Sequence, residues 1–157
     1  MSDINQKYFS GLLDVLTQSG IQPCNTKEAR KAYSENFQII DTWHHGTVII
    51  ESAVKVLMAS KTIAVDVTLK PKHKDKDSAK EANDYFLILG EDQQLIGEII
   101  GVANLDWNDS PARERQIILN VAGDPTEKSD WPRQHALLAA RLVGFRIAFE
   151  PRIEHLP

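Results

Sequence analysis

Apolar and polar side chains alternate with a period of two through residues 47–70, and a chain can use such a stretch most readily as paired strands. Ile63, Val65, Val67 and Leu69 alternate with Thr62, Ala64, Asp66, Thr68 and Lys70. Before them, Val48, Ile50, Ser52, Val54, Val56 and Met58 alternate with Thr47, Ile49, Glu51, Ala53, Lys55 and Leu57. The second set of this earlier run is less polar, so a helix over 49–60 is the competing reading. As two strands, the stretch turns at 59–61. Placing both apolar sets on one face then fixes the register, because a slip of one residue reverses every side chain. Val56 faces Ile63, Val54 faces Val65, Ser52 faces Val67 and Ile50 faces Leu69. On the other face Glu51 opposes Thr68, Ala53 opposes Asp66 and Ile49 opposes Lys70. Diagonal neighbours come within reach of long side chains, so Lys55 can meet Asp66 and Glu51 can meet Lys70. One face of the hairpin is therefore expected to be apolar and buried, and the other to be a solvated surface of two acids and two lysines. Ala59 and Ser60 suit a two-residue turn poorly, since neither favours positive φ. A longer loop of the same parity is expected.

The rest of the chain reads as an α+β domain. Residues 3–19 carry Ile4, Tyr8, Phe9, Leu12, Leu13, Val15 and Leu16 at helical spacing, with Ser2 as cap and Gly20 as stop. Asn25 with Glu28 suggests a capping box for a short helix to Ser34 that packs through Ala29, Ala32 and Tyr33. Residues 37–41 read as a short strand or the tail of that helix, and 43–46 as a turn. Residues 71–83 interleave both charge signs and form a mobile charged loop. Strands are predicted at 85–89, 94–105 and 115–121, with turns at 90–93 and 106–112. Gly97 and Gly101 mark a bend in the second strand. Ser129 or Asp130 caps a helix with Pro132 in its first turn. It runs to Val143, buries Leu137, Leu138, Ala140 and Leu142, and stops at Gly144. A last strand at 145–149 ends at Pro151. The expected architecture is a mostly antiparallel sheet of five to six strands, an N-terminal helix pair and a C-terminal strand–helix–strand crossover. With no internal repeat or linker, residues 1–157 form one domain.

Bulk properties narrow the function classes. The 157 residues carry a net charge of −4, which argues against a non-specific nucleic-acid binder. One cysteine, Cys24, excludes an internal disulfide. The N-terminus lacks the pattern of a signal peptide, and no apolar run is long enough to span a bilayer. A cytoplasmic location follows, with no membrane, a protein or small-molecule partner, and oligomerisation left open.

Candidate chemistry is sparse. Glu51, Asp66 and Lys70 fall on one hairpin face, and two carboxylates with a lysine can hold a divalent metal for phosphodiester cleavage. Ion pairs across a sheet face account for the same residues without function. His44 and His45 are candidate metal ligands, but neighbours in sequence rarely point the same way and no further ligand lies at suitable spacing. A basic clamp for phosphate is the functional reading of 71–81, weakened by its own acids. Trp43, Trp107 and Trp131, all in expected turns, are candidate anchors for a partner; alternatively they close off the ends of the core. Residues 85–149 superficially resemble the core of acetyl-coenzyme-A-dependent acyltransferases in their expected order of hairpin, strand, loop, helix and strand. That resemblance implies a pyrophosphate loop at 123–130. Here that loop has one glycine, a proline lacking an amide, and the acids Asp124, Glu127 and Asp130. No phosphate-binding glycine motif or nucleophile elbow is present, and no cofactor is implied. The leading expectation is a small binding or interaction protein. A metal-dependent nuclease and an acyltransferase-like enzyme are the alternatives.

Overall fold

The computed structural model describes residues 3–25, 36–111 and 113–157. It is an α+β protein with a five-stranded antiparallel sheet. The strands are β1 (Phe37–His45), β2 (Val48–Leu57), β3 (Thr62–Pro71), β4 (Asp106–Asn108) and β5 (Arg115–Val121), in the spatial order β1-β2-β3-β5-β4. Among the described residues four α-helices accompany them: α1 (Asp3–Gln18), α2 (Lys76–Gly90), α3 (Gln93–Ile100) and α4 (Trp131–Glu154). Among the described residues no helix is long and apolar enough to cross a membrane. The expected cap Ser2 and the short helix around Ala29, Ala32 and Tyr33 lie outside the described residues.

The β2–β3 hairpin has the register that alternation dictates. Val56 pairs with Ile63, Val54 with Val65, Ser52 with Val67, Ile50 with Leu69, Glu51 with Thr68 and Ala53 with Asp66. Strand, not helix, is the outcome for 49–57. The loop is the four residues 58–61, and Lys61 takes φ 56°, the positive angle that a tight return demands. The apolar face of the hairpin is fully buried, from Val48 and Ile50 through Leu69. Burying such a face contributes roughly 1.5–3 kcal/mol per large side chain, before the cost of ordering the chain.

Three departures from expectation share one cause. The stretch 85–89 is the C-terminal half of α2, 94–100 is α3, and 145–149 continues α4. Each is a short apolar run with no periodicity decisive over five residues, and tertiary packing chose the helix. α2 starts inside the charged stretch: the Asp75 carboxylate accepts from the Ser78 amide at 2.7 Å and caps the helix. Within 71–83, therefore, only residues 72–75 form a loop, since Pro71 ends β3. Gly101 is not a strand bend. It takes φ 86° and closes α3, its amide bonding to Gly97 O at 2.8 Å. α4 runs through both expected stops, Gly144 and Pro151, because Phe145, Ala148, Phe149 and Ile153 bury along one side. It buries Ala139 rather than Ala140. The C-terminal parallel crossover is thus absent, and every observed strand pair is antiparallel.

β1 is longer than expected. The stretch 43–45 is strand, and the return to β2 uses Gly46 and Thr47 alone, with Gly46 at φ 56°. A bulge at Ile40 shifts the register between Ile39 and Asp41. The Asp41 carboxylate, 2% exposed, takes a two-pronged bond from Arg146 of α4, at 2.8 and 3.0 Å. Arg146 also reaches Gln22 O at 2.8 Å, so one guanidinium ties the chain after α1, the edge strand and α4 together.

Candidate functional site

The helices cover one face of the sheet. On the other face β1, β2, β3 and β5 form a cleft of about 140 Å³. Phe37, Ile39 and Ala53 supply its apolar part. Glu51, Lys55, Asp66, Thr68, Lys70, Glu114 and Gln116 supply the rest. The period-two pattern of β2 and β3 turns Glu51, Lys55, Asp66 and Lys70 this way, so the three hairpin candidates do come together.

Their contacts follow the two diagonals. Lys70 Nζ donates to Glu51 Oε2 at 2.9 Å, and Lys55 Nζ lies 3.8 Å from Asp66 Oδ2. The lysines stay partly in solvent, whereas the Asp66 residue is only 6% exposed. Thr68 and Ala53 are buried as well. The expected solvated surface is therefore a walled recess. Sequence reasoning missed its walls, Glu114 and Gln116 from the β5 side and Phe37 and Ile39 from β1. The signal for them was present in the alternation of 115–121, but the pairing of β5 with β3 joins residues about fifty positions apart.

Burial pushes the Asp66 carboxyl up from 3.8 to about 6. Lys55 and Lys70 oppose the rise, and the nearby carboxylates of Glu51 and Glu114 add to it. Three acids thus share this recess with two lysines. Asp66 is the acid among them whose protonation, at about 6, resolves the imbalance. Such a site can accept a hydrogen bond or a cationic group deep in the recess while the lysines receive anionic or carbonyl oxygens at the rim. Among the described residues no three His, Cys, Asp or Glu side chains converge as a metal site would require.

The other sequence candidates lie elsewhere. His44 is exposed on the open-face side of β1, and His45 points to the helix side, where its Nε2 donates to Leu156 O at 2.9 Å. The two histidines diverge, as successive strand residues must. The three tryptophans are half-buried and pack on the core. Trp43 is in β1. Trp107 is in β4, tilted between Phe86 and Phe149 at 5.7 and 6.5 Å. Trp131 opens α4, donates from Nε1 to Pro125 O at 2.9 Å and meets Tyr8 edge-on at 5.1 Å. The acyltransferase-like order over 85–149 is absent, since 85–100 and 145–149 are helical.

No curated protein and no solved structure gives a significant match to this chain. The model of one protein family, described as a domain of unknown function (DUF4268), matches residues 4–153. That span takes in every strand and nearly all of α1 and α4, so the chain belongs to this family.

Proposed function

We propose that this chain is a binding module whose ligand sits on the open face of the sheet, over Asp66. One observation carries the reading: the Asp66 carboxyl is buried on that face, while every charged neighbour keeps one side in solvent. A fold under no functional demand would lose little by placing a neutral residue there. Perturbed carboxyls in recesses mark sites more often than chance allows. The complementary ligand presents an amine, guanidine or amide donor to Asp66 and an acceptor to Lys55 or Lys70. A protein side chain and a small molecule both meet that description. We take the domain to work as a soluble cytoplasmic protein, in keeping with its acidity and its single cysteine.

The test is nitrogen-15 shift mapping. Labelled protein is titrated first with guanidinium and alkylamine probes, then with the small-molecule fraction of a cell extract. Shifts clustered at Ala53, Asp66, Thr68 and Gln116, and lost in Asp66→Asn, support the module. Shifts that spread evenly over the surface, or survive in Asp66→Asn, sink it. Phosphodiester cleavage at Glu51, Asp66 and Lys70 is the second reading, favoured by a carboxyl poised near pH 6 beside a lysine. The magnesium experiment in the Discussion separates the two.

A further inference from the structure

Five of the six large apolar side chains exposed among the described residues lie on α2, α3 and α4. Three of them share one surface. α3 lies along α4 in the opposite direction, with Arg152 bonded to Asp92 at 3.1 Å at one end. At the other end Arg141 donates to Ile100 O at 3.0 Å. Gly144 gives α4 its close approach there, since a Cβ on it would come within 3.1 Å of Ile100 Cα. Trp107 marks the inner side of this pair: it stands with Gly97 of α3 at the edge of one recess and packs on Phe149 of α4. Leu95 and Ile99, four residues apart, and Ile147 take the outer side, at 48%, 39% and 58% exposure.

The charge around these three residues is one-sided. The stretch 84–100 holds four acids and no lysine or arginine. Along the outer face of α4, Ile147 is followed at helical spacing by Glu150 and Glu154. The nearby cations are already engaged. Arg152 holds Asp92, Arg146 holds Asp41, and Arg141 holds the C-terminal end of α3. Glu91, Glu98 and Glu154 make no ion pair with any described residue. A second copy of the chain would set these acids against their own equivalents, and an anionic lipid surface would be repelled.

We propose that the α3–α4 face docks a basic amphipathic helix of a partner protein. Its apolar side seats over Leu95, Ile99 and Ile147, and its lysines or arginines answer Glu91, Glu150 and Glu154. This surface lies on the helical side of the sheet, away from the cleft over Asp66, and stands independently of it.

The experiment uses a fluorescent synthetic helix of leucine and lysine with all leucines on one side, followed by anisotropy. The control has the same composition with its leucines dispersed. The protein should bind the amphipathic peptide at least roughly tenfold more tightly than the control. Leu95→Ser with Ile147→Ser should remove that advantage, since both side chains are exposed and the fold survives their loss. Raising the salt should weaken the wild-type complex. Leu57→Ser, which removes an exposed apolar side chain of β2 outside this face, should leave binding unchanged. Equal affinity for the two peptides, or an affinity untouched by the double substitution, overturns the proposal. So does a wild type that sediments as a dimer which the double substitution dissociates, for then the occupant is a second copy.

Discussion

Asp66→Asn should make the protein more stable at pH 8 and lose that advantage as the pH falls. The folded Asp66 carboxyl titrates at about 6, against 3.8 for an ordinary aspartate. Above pH 6 both folded and unfolded chains carry the charge, and the folded state bears the full penalty of burying it. Between 6 and 3.8 the folded state takes up a proton that the unfolded state does not, so stability rises as pH falls. Below 3.8 both are neutral and the penalty is gone. A gap of about two units corresponds to roughly 3 kcal/mol. Two losses reduce what asparagine recovers. Lys55 loses a partner 3.8 Å away, but it is 43% exposed, and such a pair is worth about 0–1 kcal/mol. The amide must also find bonds in the recess, at a cost of about 1 kcal/mol if one is missed. The net expectation is about 1–2 kcal/mol in favour of Asp66→Asn at pH 8, shrinking to zero or reversing by pH 4.5. Urea midpoints of both proteins, measured side by side from pH 4.5 to 8, read this directly, because every other titrating group cancels in the difference. A difference that does not vary with pH, or that grows toward acid, would refute the buried-charge account of this residue and remove the main support for a site there.

Val65→Asp should unfold the domain outright, since an unpaired charge would replace a fully buried methyl cluster at a cost above about 3 kcal/mol; circular dichroism at 25 °C shows it. Arg146→Ala should lower stability by about 3–5 kcal/mol by leaving the buried Asp41 carboxylate without its counter-charge, with the Asn25 amide still bonded to it, seen as a shifted urea midpoint. His135 is held below its usual value by burial, against a hydrogen bond with the Tyr8 backbone that raises it. Its contribution is therefore complete above pH 6.5 and lost as pH falls below it, and His135→Gln should flatten that acid slope in melting scans. Magnesium or manganese should not raise the melting temperature. A rise that Glu51→Gln abolishes, together with cleavage of nucleic acid, would establish the phosphodiesterase reading instead.

What could be read in advance divides along physical lines. The central hairpin was legible to the residue, including both diagonal ion pairs, because a period of two admits one register and the diagonals follow from strand geometry alone. α2 shows a helical signal only when the window reaches back into the charged stretch: Ala82, Tyr85, Phe86 and Leu89 recur at three- and four-residue spacing. The run from Tyr85 to Leu89 is apolar throughout, and the charged residues before it masked the start of the helix. Gly144 and Pro151 misled for another reason. Gly144 reads locally as a helix stop and Pro151 as the end of a strand, yet Gly144 serves the approach of α3, and Pro151 sits inside the last turn of α4.

The site was half legible for a deeper reason. Pattern assigns a side chain to a face, and it gave Glu51, Lys55, Asp66 and Lys70 a common one. Pattern says nothing about how high the neighbouring strands stand around that face. Asp66 and Lys70 differ in burial because Asp66 is short and lies opposite Ile118 of β5 and Ala53 of β2, mid-sheet, whereas Lys70 is long and lies past the last paired residue of β5. A long-range contact thus converts an ordinary surface ion pair into a carboxyl titrating near 6. The chemistry of the recess belongs to the β3–β5 pairing as much as to the hairpin. A substitution on β5 should therefore tune Asp66 without touching it. Gln116→Ala opens the β5 wall of the recess to water and should return the Asp66 carboxyl toward 3.8. A carbon-13 titration of the carboxyl follows that shift. An unmoved titration would mean that burial by β5 is not what raises it.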